Sequence, residues 1–193
     1  MPPKSALLKI MCQEKSNYCP TKIARYRLTN ENIHLLSDYS CGNTVIDRFF
    51  KEEAVDSCSH STHIFVDPDT DTVVAAVSLA CSSLLVLYDE NTVCDSAPSV
   101  EITYFALDSR FQGISAPESL GEGNISDCIM ALVFQLIYEF TESTCAAEYV
   151  LLYSTPPAIH FYERNCFVSV DTSRYWRKSS VYLDKCTFMY QSL

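Results

Sequence analysis

The chain of 193 residues carries 14 Lys and Arg against 24 Asp and Glu, a formal charge of −10 with a pI near 4.7, so its overall field repels phosphate polymers and disfavours non-specific nucleic-acid binding. At 48% hydrophobic content it can bury a core as one domain over residues 1–193. No window supplies the ~18 apolar residues of a spanning helix, and the start Met1-Pro2-Pro3-Lys4-Ser5 lacks the basic-then-apolar order of a signal peptide, so a cytoplasmic protein with no membrane partner is expected.

After a polar leader (1–22), residues 23–28 alternate like a first strand, and Thr29-Asn30-Glu31-Asn32 is a helix-start signal. A short amphipathic helix begins after Gly42-Asn43, with Val45, Ile46, Phe49, Phe50 and Ala54 near one face. Strands over 63–66 and 72–79 flank Asp67-Pro68-Asp69-Thr70-Asp71. That loop has Asp/Pro turn chemistry without the spacing of a calcium loop, and reads as a hairpin turn. Residues 84–88 extend or follow the sheet, 90–98 read as a loop, and 99–108 are a strand rich in aromatic and β-branched residues. The helix predicted over 126–141 is apolar around much of its circumference and is expected to be substantially buried. A strand over 149–154, a short helix within 157–166 and closing strands over 167–171 and 186–190, with a polar hairpin between them, complete the order. The ten cysteines are scattered, several inside apolar runs (Cys81, Cys128, Cys145), and no C-x-x-C pair offers a metal site, so reduced and mostly buried thiols are expected.

Two segments carry a resemblance. The run from Pro157 to Phe167, with Ala158, Phe161, Tyr162, Cys166 and Phe167, resembles the "A-x-x-F-Y-x-x-x-G-F" signature of the GCN5-related N-acetyltransferases (GNAT), with Cys166 in place of the glycine. The run from Cys41 to Ala54 resembles the "C-G-n-x-x-L-D-x-F-L-x-x-x-A" opening of the branch that includes the acetylating toxins of toxin-antitoxin modules. The resemblance implies an α/β GNAT fold: a mixed central sheet of six to seven strands, splayed at a cofactor wedge and flanked by helices. It also implies acetyl-CoA as cofactor.

By the same resemblance, Tyr162 is the general acid that protonates the departing thiolate. Reference pKa values of about 10 for a phenol and about 8.5 for a thiol make that transfer feasible. Glu101 matches the glutamate that serves some members as base; by alternation it shares a face with Thr103 and Phe105, and His160 is a second candidate for that work. Backbone groups of Phe105, Ala106 and Leu107 would face the pantetheine arm, with an oxyanion held near Leu107, and Ser154 ends the strand before the Phe-Tyr helix. The pyrophosphate loop begins as Arg110-Phe111-Gln112-Gly113, is interrupted from Ile114 to Leu120, and resumes as Gly121-Glu122-Gly123-Asn124-Ile125-Ser126. An anion nest rebuilt from Gly121 to Ser126 is expected. If the backbone after the Phe-Tyr helix needs positive φ, Asn165 is expected to supply it.

Three functions stay open: an N-acetyltransferase acting on a primary amine of a small molecule or protein, a toxin-type enzyme acting on aminoacyl-tRNA, and a non-catalytic binding protein on the same fold. The tRNA reading requires Arg25, Arg27, Arg174 and Arg177 to cluster on one face; Lys22 and Lys178 extend the two basic strips. Partners under consideration also include an antitoxin and a second copy of the chain.

Overall fold

The computed structural model describes residues 18–89, 92–171, 174–176 and 183–193; most of the polar leader, and Arg177 and Lys178, lie outside them. Along the chain run β1 (Ala24–Arg27), α1 (Thr44–Arg48), β2 (Ser61–Asp67), β3 (Thr72–Asp89), β4 (Thr92–Leu107), α2 (Ile125–Ser143), β5 (Tyr149–Ser154), α3 (Ile159–Arg164), β6 (Val168–Ser169), β7 (Tyr175–Trp176) and β8 (Thr187–Ser192). In space the sheet reads β1-β2-β3-β4-β5-β8-β6, with β7 paired to β3. Among the described residues every pairing is antiparallel except β4 with β5, so the one parallel crossover is β4-α2-β5.

Helix α2 covers one face of the sheet. Ile125, Ile129, Met130, Val133 and Ile137 recur at helical spacing and are buried against Phe65, Val77, Val100, Ile102, Val150 and Leu152. The opposite face is covered in part by α1 and the π-helical turn Phe49–Glu53 that continues it. There Phe49 and Phe50 pack on Ile64 and Val66, and Phe49 stacks on Tyr104 with ring centroids 3.9 Å apart. The helix-start signal at residues 29–32 opens only a 3-10 turn, Ile33–Leu36.

Three expectations are corrected. Residues 92–98 are strand, not loop: β4 pairs with β3 from Asp89↔Thr92 through Ser83↔Pro98 onward, making one long hairpin. Pro98 is tolerated because its carbonyl faces the outer edge, where it accepts the Glu148 amide at 2.8 Å, so the missing N–H costs no bond to β3. The stretch between β6 and β8 is not a simple hairpin either, since β7 crosses back to pair Trp176 with Leu85 and Tyr175 with Val86. Finally, the described cysteines are not mostly buried. Cys58, Cys81, Cys145 and Cys166 are exposed and only Cys186 is buried, because Cys145 lies past the last turn of α2 and Cys166 in the turn after α3.

Candidate active site

The site is built on a gap between β4 and β5. Their parallel pairing runs only from Ser99↔Tyr149 to Ile102↔Leu152. Just beyond, Ser78 pairs with Tyr104 while Leu79 pairs with Ile102, so Thr103 is an extra residue in β4, and its hydroxyl donates to the Ser78 carbonyl at 3.0 Å. The bulge bends β4 away from β5 and opens the wedge.

Past the bulge, the Asp108 amide donates to the Val74 carbonyl of β3 at 2.9 Å. Alternation therefore turns the backbone N–H groups of Phe105 and Leu107 to the other edge, into the wedge. Ala106 departs from expectation, since its carbonyl accepts the hydroxyl of buried Tyr39 at 3.0 Å and its backbone belongs to the β3 side.

The bulge also resets the side-chain alternation. Ile102 and Phe105, three positions apart, both pack on the α2 core, so Glu101 and Phe105 do not share a face. Glu101 lies on the opposite face, 6% exposed, with its carboxylate accepting the Ser82 hydroxyl at 3.0 Å, and it does not line the cleft. His160 is exposed and pairs with Glu163 at 3.0 Å, also outside the cleft.

A cleft of about 700 Å³ continues from the wedge, lined by Phe105, Ala106, Leu107, Gln112, Gly113, Ser126 and Tyr162, and on its other side by Cys41, Gly42, Asn43 and Ile46. The Cys41-Gly42-Asn43 loop has a local physical cause. The Asn43 side chain caps α1 by accepting the Val45 amide at 3.0 Å, and the Asp47 carboxylate accepts the Ser40 hydroxyl at 2.7 Å and the Cys41 amide at 2.8 Å. Gly42 sits at φ 84, which favours glycine. The Gln112 amide group then bridges the carbonyls of Cys41 and Leu107, both at 2.9 Å, and locks the loop onto the end of β4. Gln112 is thus a strut of the cleft wall. Burial, reinforced by Asp47, pushes the Cys41 thiol up to about 11, which leaves it protonated and a poor nucleophile at neutral pH.

The interruption in the glycine loop folds back on itself. Ser115 bridges Asn124, the Ala116 amide reaches the Gly123 carbonyl at 2.9 Å, and the Ile125 amide reaches the Ile114 carbonyl at 3.0 Å. This excursion brings Gly113, at φ 72, and Ser126, in the first turn of α2, to one cleft wall as if the intervening residues were absent. Gly121 and Gly123 instead line a separate hollow with Glu118 and Glu122, and Asn124 and Ile125 are spent on the excursion's own bonds. An anion nest at Gly121 to Ser126 is therefore not what forms; Gly113 and Ser126 are the members that reach the cleft.

At the far wall, β5 ends at Ser154, whose buried hydroxyl donates to the Thr155 carbonyl at 3.0 Å; Thr155, not Ser154, lines the cleft. Two prolines open a 3-10 turn that leads into α3. Phe161 stacks on Phe105 across the wedge at 5.7 Å and 4°. Tyr162 is 8% exposed, and no described residue hydrogen-bonds its hydroxyl; burial raises its pKa above the usual phenol value. Helix α3 ends at Asn165 (φ −92), and Cys166, at φ 66, itself takes the left-handed conformation expected of Asn165. Helices α2 and α3 are tied together by Asp127. Its carboxylate takes the Arg164 guanidinium at 2.9 and 3.0 Å, the Asn165 amide group at 3.1 Å and the Asn124 backbone amide at 3.1 Å.

Sequence reasoning missed Thr103, Thr155 and the cleft-lining role of Cys41, Gly42, Asn43 and Ile46. A bulge leaves no periodic mark, but the Gly42-Asn43 cap was visible and signals a loop held in one shape.

The sequence matches no protein-family model and no curated protein. Among solved structures, AtaTR bound with acetyl-CoA superposes with a TM-score of 0.64 at 14% identity, over 88% of this chain and 93% of that one. AtaT complexed with acetyl-methionyl-tRNAfMet gives 0.62 at 14% identity, over 86% and 94%. A tyrosine-to-phenylalanine mutant of KacT gives 0.61 at 14% identity, over 89% and 95%. The bulged β4, the wedge beside β5, the β4-α2-β5 crossover and these superpositions together establish that the chain has the GCN5-related N-acetyltransferase fold, in the form shared with the toxins AtaT and KacT.

Proposed function

We propose that the chain transfers an acetyl group from acetyl-CoA to a primary amine. The observation that carries this reading is the unpartnered Tyr162 hydroxyl at a cleft whose other wall presents the free strand edge of Phe105 and Leu107. The residues present fit the cofactor. An open strand edge suits an amide-bearing pantetheine arm, and Gly113 beside the first turn of α2 leaves backbone N–H groups for a phosphate. Acetyl-CoA bound there supplies an activated thioester. As the acceptor nitrogen bonds to the thioester carbon and the C–S bond breaks, the Leu107 N–H would stabilise negative charge on the carbonyl oxygen, and the Tyr162 hydroxyl would donate its proton to the departing sulfur and regain one from solvent. Raising the phenol's pKa by burial keeps that proton in place throughout the neutral range. Glu101, behind β4 and held by Ser82, acts as a base only through water; otherwise the acceptor's proton is lost to solvent.

For the acceptor we place a small-molecule or protein amine first. The second reading, acetylation of aminoacyl-tRNA, is favoured by the likeness to AtaT in complex with acetyl-methionyl-tRNAfMet. Against it stand the charge of −10 and the distribution of cations. Arg27 lies beside His63 and hence Val77, whereas the Arg174 carbonyl binds Leu87, ten residues along β3 and about 33 Å away at ~3.3 Å per residue. Calorimetry with acetyl-CoA, followed by acetylation of amines and of charged tRNA, tests the proposal. Micromolar binding with transfer to either acceptor supports it. No binding at millimolar acetyl-CoA overturns it and leaves the non-catalytic binding protein.

A further inference from the structure

A second cavity, of about 320 Å³, lies between the C-terminal half of α2 and the sheet. Its floor is apolar, formed by Leu79, Val100, Leu136, Ile137 and Phe140, and its rim carries Arg27, His63 and the hydroxyls of Ser59 and Ser61. The cofactor cleft touches α2 at Ser126, whereas this cavity touches it as far along as Phe140, about 21 Å away at ~1.5 Å per residue. The two are separate sites on one helix.

The polar rim is incomplete as it stands. Arg27 and His63 are cross-strand partners in the β1–β2 ladder. The neighbouring Arg25 is neutralised by Glu139 at 2.8 Å, but no described carboxylate pairs with the Arg27 guanidinium, and no described acidic residue lines the cavity. Among the described residues lining the cavity Arg27 carries the one formal charge, a local reversal of sign in a chain of charge −10. Nδ1 of His63 is buried with no hydrogen-bond partner, while its Nε2 lies 3.2 Å from the Ser61 hydroxyl. With essentially no accessible surface, Nδ1 offers a ligand no contact, so the polar recognition available in the cavity is Arg27 with the rim hydroxyls.

We propose that this cavity binds a small monocarboxylate with an apolar body, the carboxylate on Arg27 beside Ser61 and His63 and the body on Leu136, Ile137 and Phe140. The size lies at the low end of small-ligand pockets, about 300 Å³ and upward, which fits a medium-chain or arylalkyl acid. A planar guanidinium is the side chain best matched to a carboxylate.

The test is titration of the purified full chain with octanoate and 3-phenylpropionate, followed by calorimetry and by amide NMR shifts, with octanamide and 3-phenylpropanamide as uncharged controls. Saturable binding of either acid is expected, with the matching amide weaker by about tenfold or more, and Arg27→Gln, at an exposed strand position, weakening the acid to the level of the amide. Leu136→Trp, which fills the cavity, abolishes binding. Tyr162→Phe, in the other cleft, leaves it unchanged. Acid and amide binding equally, indifference to Arg27→Gln, or no saturation below 10 mM for either acid would overturn the proposal. None of these readouts depends on acetyl transfer.

Discussion

The Phe167 amide donates to the Tyr162 carbonyl at 3.0 Å, and the two rings meet edge to face with centroids 5.6 Å apart. With the Cys166 amide on the Glu163 carbonyl at 3.0 Å, these are the bonds and the apolar contact of a Schellman helix end: Tyr162 at C3, Cys166 at C′ and Phe167 at C″. The spacing Y-x-x-x-G-F is thus the geometry of one helix terminus, and what ends α3 also fixes the tyrosine at the cleft.

Cys166 occupies the left-handed position at φ 66 that glycine fills at least cost. Cys166→Gly is expected to stabilise the fold by about 0.5 kcal/mol, relief of strain outweighing the added freedom of the unfolded chain. Cys166→Val, β-branched, is expected to cost about 1–2 kcal/mol. Urea unfolding measures both, and a destabilised glycine variant would remove strain from the account.

Tyr162→Phe keeps the ring and its contact with Phe167 but removes the proton donor. Turnover is expected to fall by about 10²-fold or more with acetyl-CoA affinity nearly unchanged. Because the folded-state pKa of the phenol is raised, the wild-type acid form persists to higher pH than a free phenol. The rate profile should therefore show no alkaline fall from this group below about pH 10. A mutant with wild-type kcat would take Tyr162 out of the mechanism.

Two of the three loop glycines, Gly123 and Gly113, separate fold from site. A Cβ on Gly123 would meet the Asp127 carboxylate at 3.3 Å and sit at φ 96, so Gly123→Asp is expected to lower stability by about 1–3 kcal/mol while the folded protein keeps its acetyl-CoA affinity. Gly113→Asp, with open space around its Cβ, places a charge at the cleft wall and is expected to weaken acetyl-CoA at least tenfold. Calorimetry on both variants decides; equal affinities would put the phosphates elsewhere.

Burial pushes the Asp127 carboxyl up, but hydrogen bonds from Arg164, Asn165 and the Asn124 amide outweigh it and hold the group below the usual carboxylate range. A depressed folded-state pKa stabilises above the unfolded value, about 3.9, and that contribution is lost as pH falls through the folded value. Arg164 is half exposed, so Arg164→Gln is expected to cost no more than about 1 kcal/mol at pH 7. The gap between wild type and variant should narrow below about pH 4. A gap constant from pH 7 to pH 3 would deny the pair this role.

Much of the fold was legible because burial is periodic. The spacing of Ile129, Met130, Val133 and Ile137 marks α2, and the run at 149–154 marks β5. The β4 arm was misread at Pro98 because a proline punctuates a sequence whether or not its missing N–H faces a partner. Thr103 was invisible as a bulge, and with it went the side of β4 that Glu101 takes, since one inserted residue inverts every later position. The glycine loop misled for a different reason: composition reports glycines, but only pairing between Ile114 and Ile125 shows which ones the cleft keeps.

The order in which the chain can acquire these parts follows from the long β3–β4 hairpin. Its two strands, consecutive in the chain, pair through contacts that are local in sequence, whereas the wedge needs Ser99 beside Tyr149, fifty positions later, and so carries a far larger loop-closure cost. We expect the arm to assemble first and the wedge to close last, a hypothesis that pulse-labelled hydrogen exchange during refolding would refute if β5 amides were protected before those of β3. A nascent chain would then hold the crevice between β4 and β5 open until most of its length had been made.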